Sequence, residues 1–234
     1  MITLGYCTKK INPEFRDYIQ RSSGVDNIEV IPFQNPGTHS LSEAYNIILE
    51  KASNDIVVLC HDDIYFEEKN WGNKLIEHFK RNPEYGILGV AGTTFLSKSG
   101  TWWESRPEAL GIVNHEHEDK KWACRYSESK GNKLDNSIVV DGLFIALDKS
   151  KIKHTFDERF AGFHFYDVGF CIRNYFDDVK IGIMYDIRIT HKSVSETNHE
   201  WEENRRKFIS FYKDKLPILL PTSSDKKYLE AQNI

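Results

Sequence analysis

The sequence lacks several features that would place it in a common class of protein. Its 234 residues contain no run of eighteen consecutive apolar residues, so we expect no membrane span. The amino terminus has neither a basic start nor a long apolar region, so no secretory signal is expected. Lysine and arginine total 31 against 35 acidic residues, and no basic excess points to a nucleic-acid partner.

Cysteine is also sparse. Cys7, Cys60, Cys124 and Cys171 are scattered along the chain, and no Cys-x-x-Cys pair is present. A zinc ribbon or a dithiol redox site is therefore not expected. Such cysteine usage is typical of a reducing compartment, so we expect a cytoplasmic protein, with peripheral contact to a membrane surface left open.

The apolar residues that are present suit one large α/β domain. They make up 40% of the chain, and short apolar runs alternate with helical patterns over the first ninety residues. Strands are predicted at residues 2–7, 28–33, 56–60 and 86–91. Asn12-Pro13 and a capping box at Ser40–Glu43 mark the starts of helices between them. This alternation favours a parallel sheet with helices packed on it.

The pattern changes after Gly92. Residues 93–137 show weak periodicity, which predicts short strands and a long functional or mobile loop. Within this region we expect His115-Glu116-His117-Glu118-Asp119 to be a solvated loop, because no apolar frame surrounds it. Beyond it we predict strands at 138–147 and 180–189 and helices at 165–176 and 198–215. Residues 1–215 are predicted to form one domain and residues 216–234 a C-terminal tail.

Two adjacent carboxylates follow the third predicted strand. Ligands of open α/β sheets bind outside the carboxyl ends of the strands, so Asp62 and Asp63 are placed to hold a divalent cation or a polar ligand. Successive side chains of an extended chain point to opposite sides, and the two acids are therefore not expected to share one task. A simple turn after the strand is the alternative interpretation.

Three further stretches could carry chemistry. Asp141 and Gly142 interrupt an apolar strand, which indicates either a plain bulge or close approach by a ligand. Asp167 stands at the start of a helix among aromatic residues, where it would either cap the helix or act as a base with a raised pKa. His191 follows a strand and could reach the same edge as Asp63, and the pair would suit manganese or a similar ion. A structural role for this histidine is the alternative.

Taken in order, these segments resemble family-two glycosyltransferases, which have the GT-A nucleotide-sugar transferase fold. The resemblance rests on Ala44-Tyr45-Asn46, His61-Asp62-Asp63, Val140-Asp141-Gly142, Tyr166-Asp167 and His191-Lys192-Ser193. It spans about residues 2–193 and looks closest to small non-processive bacterial members with an H-x-D form of the metal motif. It implies a three-layer α/β/α sandwich with a mostly parallel central sheet.

The resemblance also implies roles for single residues. Asp63 and His191 would bind the divalent metal, Mn²⁺ or Mg²⁺, and Asp167 would be the catalytic base. The residues expected to bind the nucleotide-sugar donor are Cys7, Thr8, Lys9, Asp62, Asp141 and Gly142.

Aromatic residues of the irregular region suggest where the sugars bind. Aromatic faces stack on sugar rings, so Trp102 and Trp103, together with His164, are assigned to the acceptor or sugar. The alternative is that one or both tryptophans fill the core.

The expected activity is metal-dependent transfer of a single sugar, with inversion, from a nucleotide-diphosphate sugar to a carbohydrate or lipid-linked carbohydrate acceptor in polysaccharide or glycoconjugate synthesis. The Q-x-x-R-W signature of processive members is absent. Direct displacement needs one base only, and it inverts the anomeric centre. His61 in place of the first acid of D-x-D, and Tyr166 in place of the acid before the base, keep a non-catalytic sugar-binding module open. A metal-dependent phosphohydrolase is a further alternative.

Overall fold

The computed structural model describes residues 1–105, 108–128, 134–193 and 197–221. Its strands are Ile2–Thr8 (β1), Glu29–Gln34 (β2), Ile56–His61 (β3), Ile64–Phe66 (β4), Tyr85–Gly89 (β5), Ala91–Thr93 (β6), Phe95–Leu96 (β7), Ala109–His117 (β8), Lys120–Arg125 (β9), Leu134–Ser137 (β10), Val139–Val140 (β11), Phe144–Asp148 (β12), Lys180–Met184 (β13), Ile189–His191 (β14) and Ile218–Leu219 (β15). Its α-helices are Pro13–Ser23 (α1), Leu41–Lys51 (α2), Trp71–Arg81 (α3), Tyr166–Phe176 (α4) and His199–Tyr212 (α5).

The predicted helix starts follow from local capping. Asn12 accepts a hydrogen bond from the Glu14 backbone at the start of α1, and Ser40 and Glu43 form a complete capping box at the start of α2. Side-chain oxygens at these positions satisfy backbone N–H groups that have no partner within the helix. The capping signals were therefore sufficient to place both helices.

The central sheet is mixed. Among the described residues its strand order is β10-β13-β5-β12-β3-β1-β2. The pairs β13–β5, β3–β1 and β1–β2 are parallel, whereas β10–β13, β5–β12 and β12–β3 are antiparallel. The sheet is thus less parallel than predicted, because β12 follows directly from the second sheet and needs no helical crossover.

Helices α1 and α2 cover opposite faces of the central sheet. The Tyr6 ring of β1 packs edge-on against Phe15 of α1, with 4.9 Å between the ring centroids. Gly5, the preceding residue, faces α2, where a Cβ atom would lie only 2.2 Å from Ile48 Cγ2. Successive strand residues point to opposite faces, so the sheet lies between two helical layers.

The other helices complete these two layers. Trp71 of α3 donates a hydrogen bond to the Ser22 hydroxyl of α1, which places both helices on the same face. Tyr45 of α2 and Tyr166 of α4 have ring centroids 5.6 Å apart on the opposite face. The predicted three-layer α/β/α arrangement is therefore present.

A second sheet carries the carboxyl-terminal part of the site. Its strand order among the described residues is β11-β6-β8-β14-β4, and β9 pairs with β8 in a long hairpin. His191 of β14 lies in register with Ile64 on one side and His115 on the other. The prediction of a solvated loop for residues 115–117 was therefore wrong, because pairing with β9 and β14 stabilises a polar sequence as a strand. Residues 106–107 and 129–133 of the predicted loop lie outside the described part.

Two predicted strands are each divided in two. Residues 138–147 break at Asp141-Gly142 into β11 and β12, and residues 180–189 supply β13 and β14 to different sheets. Near the carboxyl end, β15 pairs with β7. Residues 222–234 lie outside the described residues, and the division into a domain and a tail stays a prediction. Within the described part, no helix has both the length and the apolarity to cross a membrane.

Candidate active site

The candidate active site lies at the carboxyl ends of β1 and β3, beside β14. Cys7 of β1 and His61 of β3 are paired neighbours at this edge. A cleft of about 330 Å³ opens next to it, and both His61 and Asp167 line that cleft. The acid-rich strand end and the start of α4 are thus brought to one cavity, as expected for an open α/β sheet.

A cluster of His61, Asp63 and His191 could hold a metal ion. His191 Nε2 lies 3.3 Å from His61 Nδ1 and 3.3 Å from Asp63 Oδ1. Ligand atoms about 2.1 Å from a shared ion are about 3.0–3.4 Å apart at octahedral to tetrahedral angles. Two imidazole nitrogens and one carboxylate oxygen are donors that suit a divalent transition metal. The residues present therefore fit the metal that the sequence resemblance implies.

The electrostatics of the cluster also suit cation binding. Burial raises the pKa of Asp63, but hydrogen bonds from His191 and Ser193 outweigh it and bring the pKa to about 2. Burial, together with the neighbouring His191, lowers the pKa of His61 to about 4. At neutral pH the cluster therefore offers an ionised carboxylate and at least one neutral imidazole, the protonation states that bind cations.

Strand pairing explains how the cluster forms. The antiparallel pairing of β14 with β4 places His191 opposite Ile64, and the Lys192 N–H donates to the Asp63 carbonyl at 3.0 Å. Asp62, by contrast, is exposed in the turn and is not part of the cluster. Sequence reasoning did not assign His61 to the metal, although the H-x-D pattern was the signal that could have identified it.

Asp167 occupies the first turn of α4 at the wall of the cleft. Its Oδ2 accepts a hydrogen bond of 3.0 Å from the Gly142 N–H. Burial, and then the negative charge of Asp141, raise the pKa of Asp167 to about 7. Asp141 itself accepts a hydrogen bond from the Leu143 N–H at 3.1 Å, and burial raises its pKa. A carboxylate whose pKa is near neutrality can accept a proton at physiological pH.

The start of α4 has an unusual backbone. Phe165 precedes the helix with φ of 62°, a left-handed conformation that is uncommon for a bulky residue. The next residue, Tyr166, is buried, and its hydroxyl lies 2.9 Å from His61 Nε2. A Cβ atom on Gly142 would lie 2.1 Å from that hydroxyl, so glycine is required there for the contact.

The residues predicted to bind the nucleotide lie at the end of β1. Thr8 accepts a backbone hydrogen bond from Asn35, whose side chain also donates to Cys7 Sγ. Burial raises the pKa of the Cys7 thiol, and Lys9 is exposed. Among the described residues that line the cleft, Asp141 is the one member of the predicted donor set. The structure therefore places Cys7, Thr8, Lys9 and Asp62 beside the cleft rather than in it.

Aromatic side chains form much of the cleft wall. Trp102 is 3% exposed and packs against Tyr126, so it mainly fills the core, whereas Trp103 is 37% exposed. His164 also lines the cleft, and burial lowers its pKa.

Other aromatic residues of the cleft were missed by sequence reasoning. Trp122 and Phe163 are both exposed, and the Trp122 ring stacks on His115 with 5.1 Å between centroids. His115 in turn lies 5.7 Å from His191, centroid to centroid. Nothing in the local pattern marked these residues, because the β8–β9 pairing brings them to the cleft.

Solved structures share this architecture. GalNAc-T7 with UDP, GalNAc and Mn²⁺ aligns with 11% identity and a TM-score of 0.57, over 99% of this chain and 54% of that one. TarS from S. aureus aligns with 10% identity and a TM-score of 0.54, over 99% of this chain and 42% of that one. The mannosyltransferase PcManGT from Pyrobaculum calidifontis, in complex with GDP-Man and Mn²⁺, aligns with 11% identity and a TM-score of 0.50, over 87% and 60%.

These likenesses show the fold, and the chain spans about half the length of GalNAc-T7. No curated protein matches the sequence significantly. Residues 16–212 match the model of a family described as glycosyltransferase-like. Because that match covers most of the chain and the solved structures share its architecture, the chain belongs to the glycosyltransferase-like family and has the GT-A fold.

Proposed function

We propose that this protein is a metal-dependent, inverting glycosyltransferase that moves one sugar from a nucleotide-diphosphate sugar to an acceptor hydroxyl. One observation carries the proposal. His61 of the possible metal cluster and Asp167, a carboxylate with a pKa of about 7, line the same cleft. Family membership makes sugar transfer the chemistry to which these groups are best suited.

Asp167 would act as the base. An acceptor hydroxyl is a poor nucleophile at neutral pH, and a positioned carboxylate that removes its proton contributes about 10²–10⁴-fold to the rate. The Gly142 N–H holds one oxygen of this carboxylate and leaves the other for the acceptor. A single base supports direct displacement, and inversion follows from attack opposite the departing diphosphate.

His61, Asp63 and His191 would hold the divalent ion, Mn²⁺ or Mg²⁺. When bound, such an ion offsets the negative charge of the departing diphosphate as a Lewis acid. Two nitrogen donors favour Mn²⁺ over Mg²⁺, which prefers oxygen ligands. GalNAc-T7 with UDP and PcManGT with GDP-Man were each solved with Mn²⁺, which supports the choice. Cys7, Thr8, Lys9 and Asp62, beside the cleft, remain the proposed contacts of the nucleotide.

The cleft would bind a carbohydrate acceptor, free or lipid-linked. Trp103, Trp122 and Phe163 are between 37% and 48% exposed, and all three line the cleft. Large exposed apolar surfaces mark binding sites, and flat aromatic rings can stack on the C–H faces of pyranoses. His164, on the same wall, could donate to a sugar hydroxyl. A role in polysaccharide or glycoconjugate synthesis fits such an acceptor.

A cytoplasmic setting is also part of the proposal. All four cysteines are free, which suits a reducing compartment.

Calorimetric titration of a panel of nucleotide sugars, with and without Mn²⁺, tests the donor site. We expect Mn²⁺-dependent binding that is lost in Asp63→Ala and retained in Asp55→Ala. The control removes an exposed carboxylate from the opposite end of the same strand. A bound donor is then offered to a panel of carbohydrate acceptors, and the anomeric configuration of the product is determined by NMR.

The possible outcomes separate the candidate functions. No donor binding under either condition would overturn the proposal. Donor binding without transfer to any acceptor would favour a non-catalytic module. Phosphate release at a rate that does not depend on acceptor would favour a phosphohydrolase. A product with retained configuration would refute the inverting mechanism while keeping the transferase assignment.

A further inference from the structure

The two positions at which this chain departs from the pattern of family-two glycosyltransferases contact each other. His61 stands where the first acid of D-x-D is expected, and Tyr166 stands where an acid often precedes the base. They are 105 positions apart in the sequence, yet His61 Nε2 and the Tyr166 hydroxyl are 2.9 Å apart. A direct hydrogen bond between the two replaced positions indicates that they work as a unit rather than as two separate losses.

The geometry assigns a different task to each nitrogen of His61. Its Nδ1 faces the cluster, 3.3 Å from His191 Nε2, while its Nε2 faces Tyr166. A nitrogen that binds a cation must be unprotonated, and a neutral imidazole carries one proton. With Nδ1 as the ligand, the proton sits on Nε2 and is donated to the Tyr166 hydroxyl oxygen. Such outer hydrogen bonds fix the tautomer and the ring orientation of metal-binding histidines.

The Tyr166 hydroxyl is itself held in one place. The side chain is 4% exposed, and its ring packs against Tyr45 and Phe156, at centroid distances of 5.6 and 6.2 Å. Space for the hydroxyl exists because Gly142 has no side chain. The same Gly142 donates its N–H to Asp167, the residue that follows Tyr166. One short segment at the start of α4 therefore fixes both His61 and the proposed base.

We propose that Tyr166 is a positioning residue that orients His61 for cation binding and so links the metal cluster to the base. The inference rests on the metal site proposed above. Tyr166 does not itself bind the ion; its hydroxyl accepts the Nε2 proton of His61 and keeps Nδ1 directed at the cluster. This explains why a tyrosine can replace an acid here, since a histidine ligand needs an orienting partner that a carboxylate ligand does not.

Mn²⁺ titration of the metal-free protein by calorimetry tests the proposal. Tyr166→Phe removes only the hydroxyl, and we expect Kd for Mn²⁺ to rise about 10- to 100-fold. Tyr45→Phe is the matched control, because its hydroxyl is also buried in this aromatic cluster but donates to the Cys60 carbonyl at 3.1 Å. We expect the control to bind Mn²⁺ as the wild type does. Thermal melts of both variants establish that they are folded.

Pulsed EPR of the Mn²⁺ complex adds a readout that a purely structural role would not change. We expect two coupled imidazole nitrogens in the wild type, and loss or weakening of one coupling in Tyr166→Phe. Equal Kd values for wild type and Tyr166→Phe would overturn the inference alone and leave the metal site standing. An equal loss in Tyr45→Phe, or unchanged nitrogen couplings in Tyr166→Phe, would also overturn it. Failure of the wild type to bind Mn²⁺ would instead remove the metal site on which it rests.

Discussion

Replacement of the proposed base, Asp167→Asn, should separate catalysis from stability. The amide keeps the size of the carboxylate, and its oxygen can still accept the hydrogen bond from Gly142. It cannot accept a proton from the acceptor, so transfer should fall by about 10²–10⁴-fold. Binding of donor and Mn²⁺ should remain, because Asp167 is not part of the metal cluster.

The same substitution should stabilise the folded protein at alkaline pH. The pKa of Asp167 rises from 3.8 to about 7, because burial disfavours its ionised form. Below pH 3.8 the carboxyl is neutral in both states. Between these values the unfolded chain ionises while the folded protein keeps its proton, so stability falls as pH rises, and above pH 7 the penalty is constant. At about 1.4 kcal/mol per pH unit, the full penalty is at most about 4 kcal/mol.

Urea unfolding in EDTA at pH 5 and pH 8 measures this effect. Asparagine carries no charge, so the variant should gain about 3 kcal/mol more over the wild type at pH 8 than at pH 5. Asp17→Asn, which changes an exposed carboxylate on α1, is the control and should show no such difference. A stability difference that is equal at the two pH values would refute the assigned burial. Transfer at near wild-type rate would refute Asp167 as the base.

Three further predictions follow from the same cleft. Because Asp167 must be ionised to accept a proton, the transfer rate should rise about tenfold per pH unit up to its pKa of about 7 and then level off, and a flat profile between pH 5 and 8 would contradict this. Gly142→Ala places a Cβ atom 2.1 Å from the Tyr166 hydroxyl and should cost about 1–3 kcal/mol in urea unfolding; an unchanged midpoint would show that the contact can relax. Trp103→Ala should raise KM for the acceptor with little loss of stability, whereas buried Trp102→Ala should cost about 3–5 kcal/mol, and equal unfolding midpoints of the two variants would contradict the assignment.

Local signals account for the elements that were predicted correctly. The Asn12 cap and the Ser40–Glu43 capping box act within one helical turn, so they can be read without knowledge of the fold. The apolar run of β3 likewise marks a buried strand. The β8 residues 115–117 were mistaken for a loop because their polar sequence becomes a strand only through pairing with β9 and β14. That pairing is non-local, and no window along the chain contains it.

The sequence by itself determined the fold class and the order of the motifs, because both depend on periodicity, caps and short patterns that lie along the chain. It also placed acids at strand ends, where α/β sheets bind ligands. Only the tertiary structure decided which of these groups meet. His61 and His191 are 130 positions apart, and His61 and Tyr166 are 105 apart, yet each pair is in contact. These contacts arise from strand register and from the turn before α4, which depend on packing of the whole molecule.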